Sequence, residues 1–314
     1  MSTMIERQVE EYVLYRKALG YDMYTTASVL ANFARFAAAS GHEGPIDLEI
    51  AVAWARSGNG HGDTYEAARY EHARRVADFS RIMDPSLPEL PRGLMGKVKE
   101  RVTPYVYTDE EVSLLMSCAS RLYRQDPLRP MALRFSIGLM RACGLRPCEV
   151  VGLKDSDFDE EAGVLSVRLS KNRKSRLVPL EGSVADAVAR YRAERDSLRP
   201  DRSSEALVLG TAGRPMGERI LEYMFIELRM VLLGRGEVWD RRPPRLMDLR
   251  HTFAVRTILR WHDEGSDVNA MMPVLSRYMG HDTVAETYWY LTGAPELMSL
   301  AADAFEAQFG GWSR

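Results

Sequence analysis

The stretch Met279-Gly280-His281-Asp282-Thr283-Val284-Ala285-Glu286-Thr287-Tyr288-Trp289-Tyr290 reads as a helix end, a turn carrying an imidazole, and a short helix closing on a phenol. The Gly-His pair interrupts the apolar run before it. Asp282 or Thr283 can cap the next helix, with Glu286 completing a Thr-x-x-Glu box. An imidazole and a phenol at fixed separation suit phosphoryl chemistry, in which the phenol attacks phosphorus and the imidazole donates to a phosphate oxygen. A tyrosine beside tryptophan on a helix is more commonly a packed amphipathic ring. The deciding question is whether the upstream chain supplies cations that could hold a phosphate near this tyrosine.

Working outward, the helix expected over residues 246–261 opens with Asp248-Leu-Arg250-His251-Thr-Phe-Ala254, which carries an Arg-His pair. Further upstream stands Gly144-Leu-Arg146-Pro-Cys-Glu149. An arginine just after a helix break can aim into a cleft, and Glu149 three residues on can buttress it. Between these boxes, residues 164–169 and 176–180 alternate in hydrophobicity and predict a β-hairpin with its turn at Lys171–Lys174. A lysine in such a turn is ordinarily a solvated charge, yet it is also placed to enter a DNA groove and protonate a leaving oxygen. Helical periodicity covers most of the remainder: a Thr108–Glu111 capping box, 131–142, 183–195, 217–233, 268–279, 282–290 and 295–309. The second half is therefore mostly helical with a small antiparallel sheet, and the fold is mainly α.

Residues 4 to about 98 read as wholly helical, with Ile5, Val9 and Val13 on one face and Leu30, Phe33 and Phe36 repeating at helical spacing. The helix over 64–83 bears Arg69, Arg74, Arg75 and Arg81. These arginines form either a solvated face paired with Glu66, Glu71 and Asp78, or a surface laid against phosphates. Prolines 85, 88, 91 and 104, with Lys97, Lys99 and Arg101, then mark a linker. The expected division is 1–98, a linker at 99–107, and 108–314.

A chain of 314 residues can bury two cores. No run approaches the roughly 18 apolar residues of a membrane span. The N-terminus lacks a signal-peptide pattern, so a cytoplasmic protein is expected. Cys118, Cys143 and Cys148 lie in apolar helical segments without metal-ligand spacing and read as buried thiols. Net charge is −2, but Arg168–Arg176 holds five cations and no acid, and Arg235–Arg250 five arginines against three acids. Local basic stripes, rather than overall charge, are what nucleic-acid binding needs.

Taken together, the Gly-Leu-Arg-x-x-Glu box, the hairpin lysine, the Leu-Arg-His-Thr-Phe-Ala box, Gly-His, and a Tyr nine residues after that His resemble the tyrosine recombinase (phage integrase) family. The resemblance runs from about Thr108 to the C-terminus. The N-terminal helices, with Tyr12-x-x-x-Arg16 and Leu19-Gly20-Tyr21, look like the family's core-binding domain. Tyr288-Trp-Tyr290-Leu-Thr-Gly-Ala-Pro-Glu-Leu-Met298 is similar to transposon-borne members of the transposase A type. The resemblance implies that Tyr290 attacks the scissile phosphate while Arg146 and Arg250 clamp its oxygens. His281 would add a hydrogen bond, and Lys171, or Lys174 beside it, would protonate the 5′-oxygen. It also implies double-stranded DNA as partner, four protomers in synapsis or other recombinases of the same element, nucleoid association, and neither metal nor other cofactor. DNA contacts are expected from Arg69, Arg74, Arg75, Arg173, Lys174 and Arg176.

One position departs from the family pattern, which has His, occasionally Lys, three residues before the second Arg. Here it is Met247, and a thioether cannot take a proton from Tyr290. The departure leaves two readings: an active but slower enzyme, or a weakened DNA-binding partner in a mixed assembly. His251 points roughly 100° from its helical neighbour and is not expected to substitute. Tyr288, two residues from Tyr290, is expected in the core. The last helix, 296–309, is expected to dock on a neighbouring protomer.

Overall fold

The computed structural model describes residues 3–58, 62–96, 103–123, 125–168, 175–233, 243–293 and 297. The chain divides into two compact units, Met1–Val102 and Thr103–Arg314.

The first unit is built from α1 (Met4–Ala18), α2 (Tyr24–Ala39), α3 (Leu48–Arg56) and α4 (Asp63–Met83). Thr3 and Glu6 cap α1 reciprocally, and the Asp47 side chain accepts from the Ile50 N–H to start α3. Leu30, Phe33 and Ala37 of α2 pack with Trp54 of α3 and with Tyr70, Ala73 and Val76 of α4. The buried polar tips are satisfied: Trp54 Nε1 donates to Asn32 Oδ1 at 3.0 Å, and the Tyr70 hydroxyl donates to the Pro91 carbonyl at 2.8 Å.

The second unit opens with α5 (Asp109–Ala119), capped by Thr108 and Glu111, and α6 (Leu128–Cys143). Then come α7 (Pro147–Gly152), β1 (Phe158–Asp159), β2 (Val164–Val167), β3 (Arg176–Pro179), α8 (Gly182–Leu198) and α9 (Glu218–Leu233). The unit closes with α10 (Asp248–Asp263), α11 (Val268–Met279) and α12 (Val284–Gly293). The sheet is antiparallel in the order β1-β2-β3, with Leu165 opposite Val178. Leu165, Val167 and Val178 face one core with Leu133, Ile137 and Met140 of α6. A second cluster joins Ala254, Val255 and Ile258 of α10 to Met272, Leu275 and Met279 of α11 and to Tyr290 and Leu297.

Several expectations change. Residues 103–107, the later part of the linker expected at 99–107, belong to the second unit, and Tyr107 is 1% exposed in its core. Its N–H donates to Thr252 Oγ1 at 2.9 Å, which ties it to α10. The two-residue strand β1 was not anticipated. Cys118 and Cys143 are buried, whereas Cys148 is exposed, because it sits on the outer side of the short helix α7. Tyr288 is 38% exposed while Tyr290 is 3% exposed, so the half-turn between them places Tyr290 inward. Leu297, at 1% exposure, packs in its own chain with the cluster of α10 and α11; the rest of the tail expected to dock, and the hairpin turn at Lys171–Lys174, lie outside the described residues.

Candidate active site

Two helix ends create the site. α6 and α11 each finish on a glycine in the left-handed region, Gly144 at φ 62° and Gly280 at φ 65°. Neither glycine can be replaced freely. A Cβ on Gly144 would lie 2.4 Å from the Phe253 ring, and one on Gly280 would lie 2.9 Å from an Arg176 nitrogen. The chain emerging from each end carries the functional residue, Arg146 after the first and His281 after the second.

The carbonyls at these ends are held by guanidiniums. Arg250 donates to Gly144 O and to Met279 O, both at 2.6 Å. Arg146 donates to Gly280 O at 3.1 Å, and Arg176 Nε to Tyr278 O at 2.7 Å. A helix C-terminus carries partial negative charge, so cations are stable there. Glu149 completes the cluster with a side chain that is 1% exposed. It accepts from the Arg146 backbone N–H (2.9 Å) and Nη1 (2.9 Å), and from Arg176 Nη1 (2.9 Å) and Nη2 (2.8 Å). Four bonds match the roughly four acceptor sites of a carboxylate. Arg250 lies 3.8 Å from the same carboxylate. Burial, and then the neighbouring Arg146, lower the Arg250 pKa to about 10, which leaves it cationic at neutral pH.

Arg146, Glu149, Arg250, His281 and Tyr290 are thus brought into one region. Burial first, and then Arg250 and Arg146, push the His281 pKa down to about 3. The ring is therefore a neutral imidazole near pH 7. Its Nδ1 pairs with Thr287 Oγ1 at 2.7 Å, and the ring stacks on Tyr290 with centroids 6.1 Å apart. In the tautomer whose Nδ1 accepts from the Thr287 hydroxyl, Nε2 carries the hydrogen and can donate to a phosphate oxygen. The Tyr290 hydroxyl lies 3.1 Å from His251 Nδ1. Tyr290 is also close enough to Arg250 to favour its charged form.

Sequence reasoning missed His251 and Thr287. From its immediate helical neighbour His251 points roughly 100° away. Measured from Met247 it is four residues on, and its N–H bonds the Met247 carbonyl at 3.3 Å, so the two share a helix face. That i, i+4 spacing was the available signal. The hairpin residues Lys171, Arg173 and Lys174 lie outside the described residues.

The other cations expected at DNA divide by environment. Arg176 has a side chain 10% exposed and acts as an internal strut between Glu149 and α11. Arg69 lies over Trp54, 4.3 Å from the ring centroid, and donates to Ser57 Oγ at 2.9 Å. Arg74 is paired with Glu71 (2.9 Å) and Asp78 (2.5 Å). Both are 8% exposed, so their guanidiniums are committed to the fold; Arg75 is exposed. Among the described residues no cluster of three or more His, Cys, Asp or Glu could hold a metal, and no helix is long and apolar enough to cross a membrane.

The family model "Phage integrase family" matches residues 105–296. An integrase/recombinase-type protein of Sinorhizobium fredii, y4rB, is 34% identical across 98% of this chain and 99% of its own length. Tyrosine recombinase XerD of Ralstonia nicotianae is 29% identical across 74% of both chains. Among solved structures, the Tn1549 transposon integrase in complex with circular intermediate DNA shares the fold with a TM-score of 0.66 and 18% identity, covering 90% of this chain and 94% of that one. A lambda integrase dimer bound to a COC′ core site gives 0.57 and 16%, covering 91% and 76%. A full-length relative and a family match over most of the second unit, on top of the arginine–histidine–tyrosine geometry, leave one conclusion: the chain belongs to the phage integrase family, the tyrosine recombinases.

Proposed function

We propose that this protein is a site-specific DNA recombinase that cuts and rejoins DNA through a 3′-phosphotyrosyl intermediate. The observation that carries the reading is the Tyr290 hydroxyl beside an imidazole, with Arg146, Arg250 and His281 gathered around it. Tyr290 attacks the scissile phosphate. Arg146 and Arg250, already fixed by backbone carbonyls, stabilise the charge that builds on its oxygens; fixed donors need no reorganisation as that charge develops. Neutral His281 adds a hydrogen bond. Lys171, with Lys174 as its rival, protonates the departing 5′-oxygen. The bond energy is kept in the protein–DNA ester, so neither ATP nor a metal is required.

Exchange between two duplexes then takes four protomers, two per site, or a mixed assembly with other recombinases of the same element. The similarity of its C-terminal stretch to transposase A-type members supports a role in a mobile element, with action at the nucleoid. Met247 supports a second reading, a weakened partner that binds DNA without efficient cleavage. The His251 contact to Tyr290 favours the active enzyme.

The test is a suicide duplex nicked beside the scissile phosphate. A covalent protein–DNA band from the wild type, absent in Tyr290→Phe, is expected. No band from the wild type but a band from Met247→His would establish the weakened partner instead.

A further inference from the structure

Met247 is the last residue before α10, in helical conformation at φ −60° and ψ −24°. Position 251 therefore stands on the same face, one turn further along. The imidazole there comes within 3.1 Å of the Tyr290 hydroxyl through Nδ1, with the two ring centroids 5.5 Å apart. Trp289 meets the same imidazole edge-on at 5.8 Å, which restricts its rotation. The second imidazole of the site, His281, directs its Nδ1 to Thr287 and stacks on the Tyr290 ring. The two histidines thus meet Tyr290 differently, one at the phenol oxygen and one against the ring.

We propose that His251 is the catalytic proton acceptor for Tyr290, taking over from the neighbouring turn what a thioether at Met247 cannot do. The inference rests on Tyr290 being the nucleophile. In cleavage, Tyr290 Oη forms a bond to phosphorus as its proton passes to Nδ1 of His251. The bond from phosphorus to O5′ breaks, and its electron pair leaves on O5′, which takes a proton from the general acid of the hairpin turn. In rejoining, the 5′-hydroxyl attacks phosphorus as its proton returns to the hairpin-turn group that supplied it, the bond from phosphorus to Oη breaks, and Oη recovers its proton from Nδ1.

The experiment uses the full chain and nicked duplexes carrying the element's end sequence. One duplex has the natural 5′-oxygen at the scissile phosphate and the other a bridging 5′-sulfur. A thiol, with a pKa of roughly 8.5, leaves as thiolate without help, so the sulfur duplex relieves defects in the general acid but not in the base. His251→Gln should form the covalent adduct about 10²- to 10⁴-fold more slowly on both duplexes, while retaining DNA in a gel shift. Adding Met247→His to His251→Gln should recover about tenfold or more of that loss, because the imidazole returns to the same face. Adduct formation by His251→Gln within about threefold of wild type on the oxygen duplex overturns the inference and leaves Tyr290 as nucleophile. A defect confined to the oxygen duplex also overturns it, since His251 would then serve the leaving group. So does a double variant that recovers nothing. Absence of adduct from the wild type on either duplex defeats the proposed function and this inference together.

Discussion

Replacing Glu149 by Gln tests how the arginine cluster is held. The buried carboxylate accepts four hydrogen bonds, two from Arg146 and two from Arg176, and stands 3.8 Å from Arg250. A carboxamide of the same shape keeps one acceptor oxygen and turns an NH2 group against donors, so two bonds are lost and two donors face each other. The change also leaves three guanidiniums without this compensating charge. Removing one partner of a buried charge pair costs about 3–5 kcal/mol. For a unit the size of Thr103–Arg314, each kcal/mol lowers Tm by about 2–4 °C, so the second unit should melt about 6–20 °C lower. Scanning calorimetry of the whole chain, with the same variant in urea, gives the measurement. A Tm within about 3 °C of wild type would show that Glu149 does not organise the cluster, and the preorganisation argument for Arg146 would fail with it.

Three further outcomes follow from the environments of single residues. Arg75→Ala should reduce the slope of log affinity against log salt by about 1 if it contacts a phosphate, whereas Arg69→Ala, which removes the cation over Trp54, should lower the melting temperature of the first unit; fluorescence anisotropy and thermal melts separate the two. Ellman's reagent at neutral pH should find one accessible thiol, exposed Cys148, reacting more slowly than a free cysteine because partial burial raises its pKa, while Cys118 and Cys143 are buried and burial raises the Cys143 pKa to about 12; three reactive thiols in the native protein would contradict this packing. His281, with its folded pKa lowered to about 3 against roughly 6.5 unfolded, contributes stability that is complete above pH 6.5 and is lost as pH falls toward 3. Nitrogen-15 NMR should find it neutral at pH 5 in the free protein, and a charged imidazole there would refute the assignment.

The helices were legible because each combines local signals, an apolar period with a capping residue or a terminal glycine. Gly144 and Gly280 marked the two ends that build the site, since only a residue tolerant of positive φ stops a helix in that way. The two-residue strand β1 carries no period and could not be seen. Nor could the commitments of the arginines. Arg176 lies in a basic stripe, and what makes it a strut is Glu149 and the Tyr278 carbonyl, 27 and 102 residues away along the chain. Arg69 and Arg75 occupy one arginine-rich helix, and the tertiary contacts with Trp54 and Ser57 distinguish them. Tyr288 and Tyr290 show the opposite case, in which the half-turn between them was readable but which ring faced inward was not.

The cluster of Arg146, Arg176 and Arg250 has a consequence for how the molecule behaves before it meets any target. Three buried or half-buried cations share Glu149 and the carbonyl ends of two helices, which leaves the folded state with a standing appetite for an anion. Binding one to the native form alone adds RT ln(1 + [L]/Kd) to its stability, so the thermal stability of the free protein becomes a reporter of what anion it carries. On the proposed reading, a phosphodiester held by these arginines would add stability to the two helix ends from which Arg146 and His281 emerge.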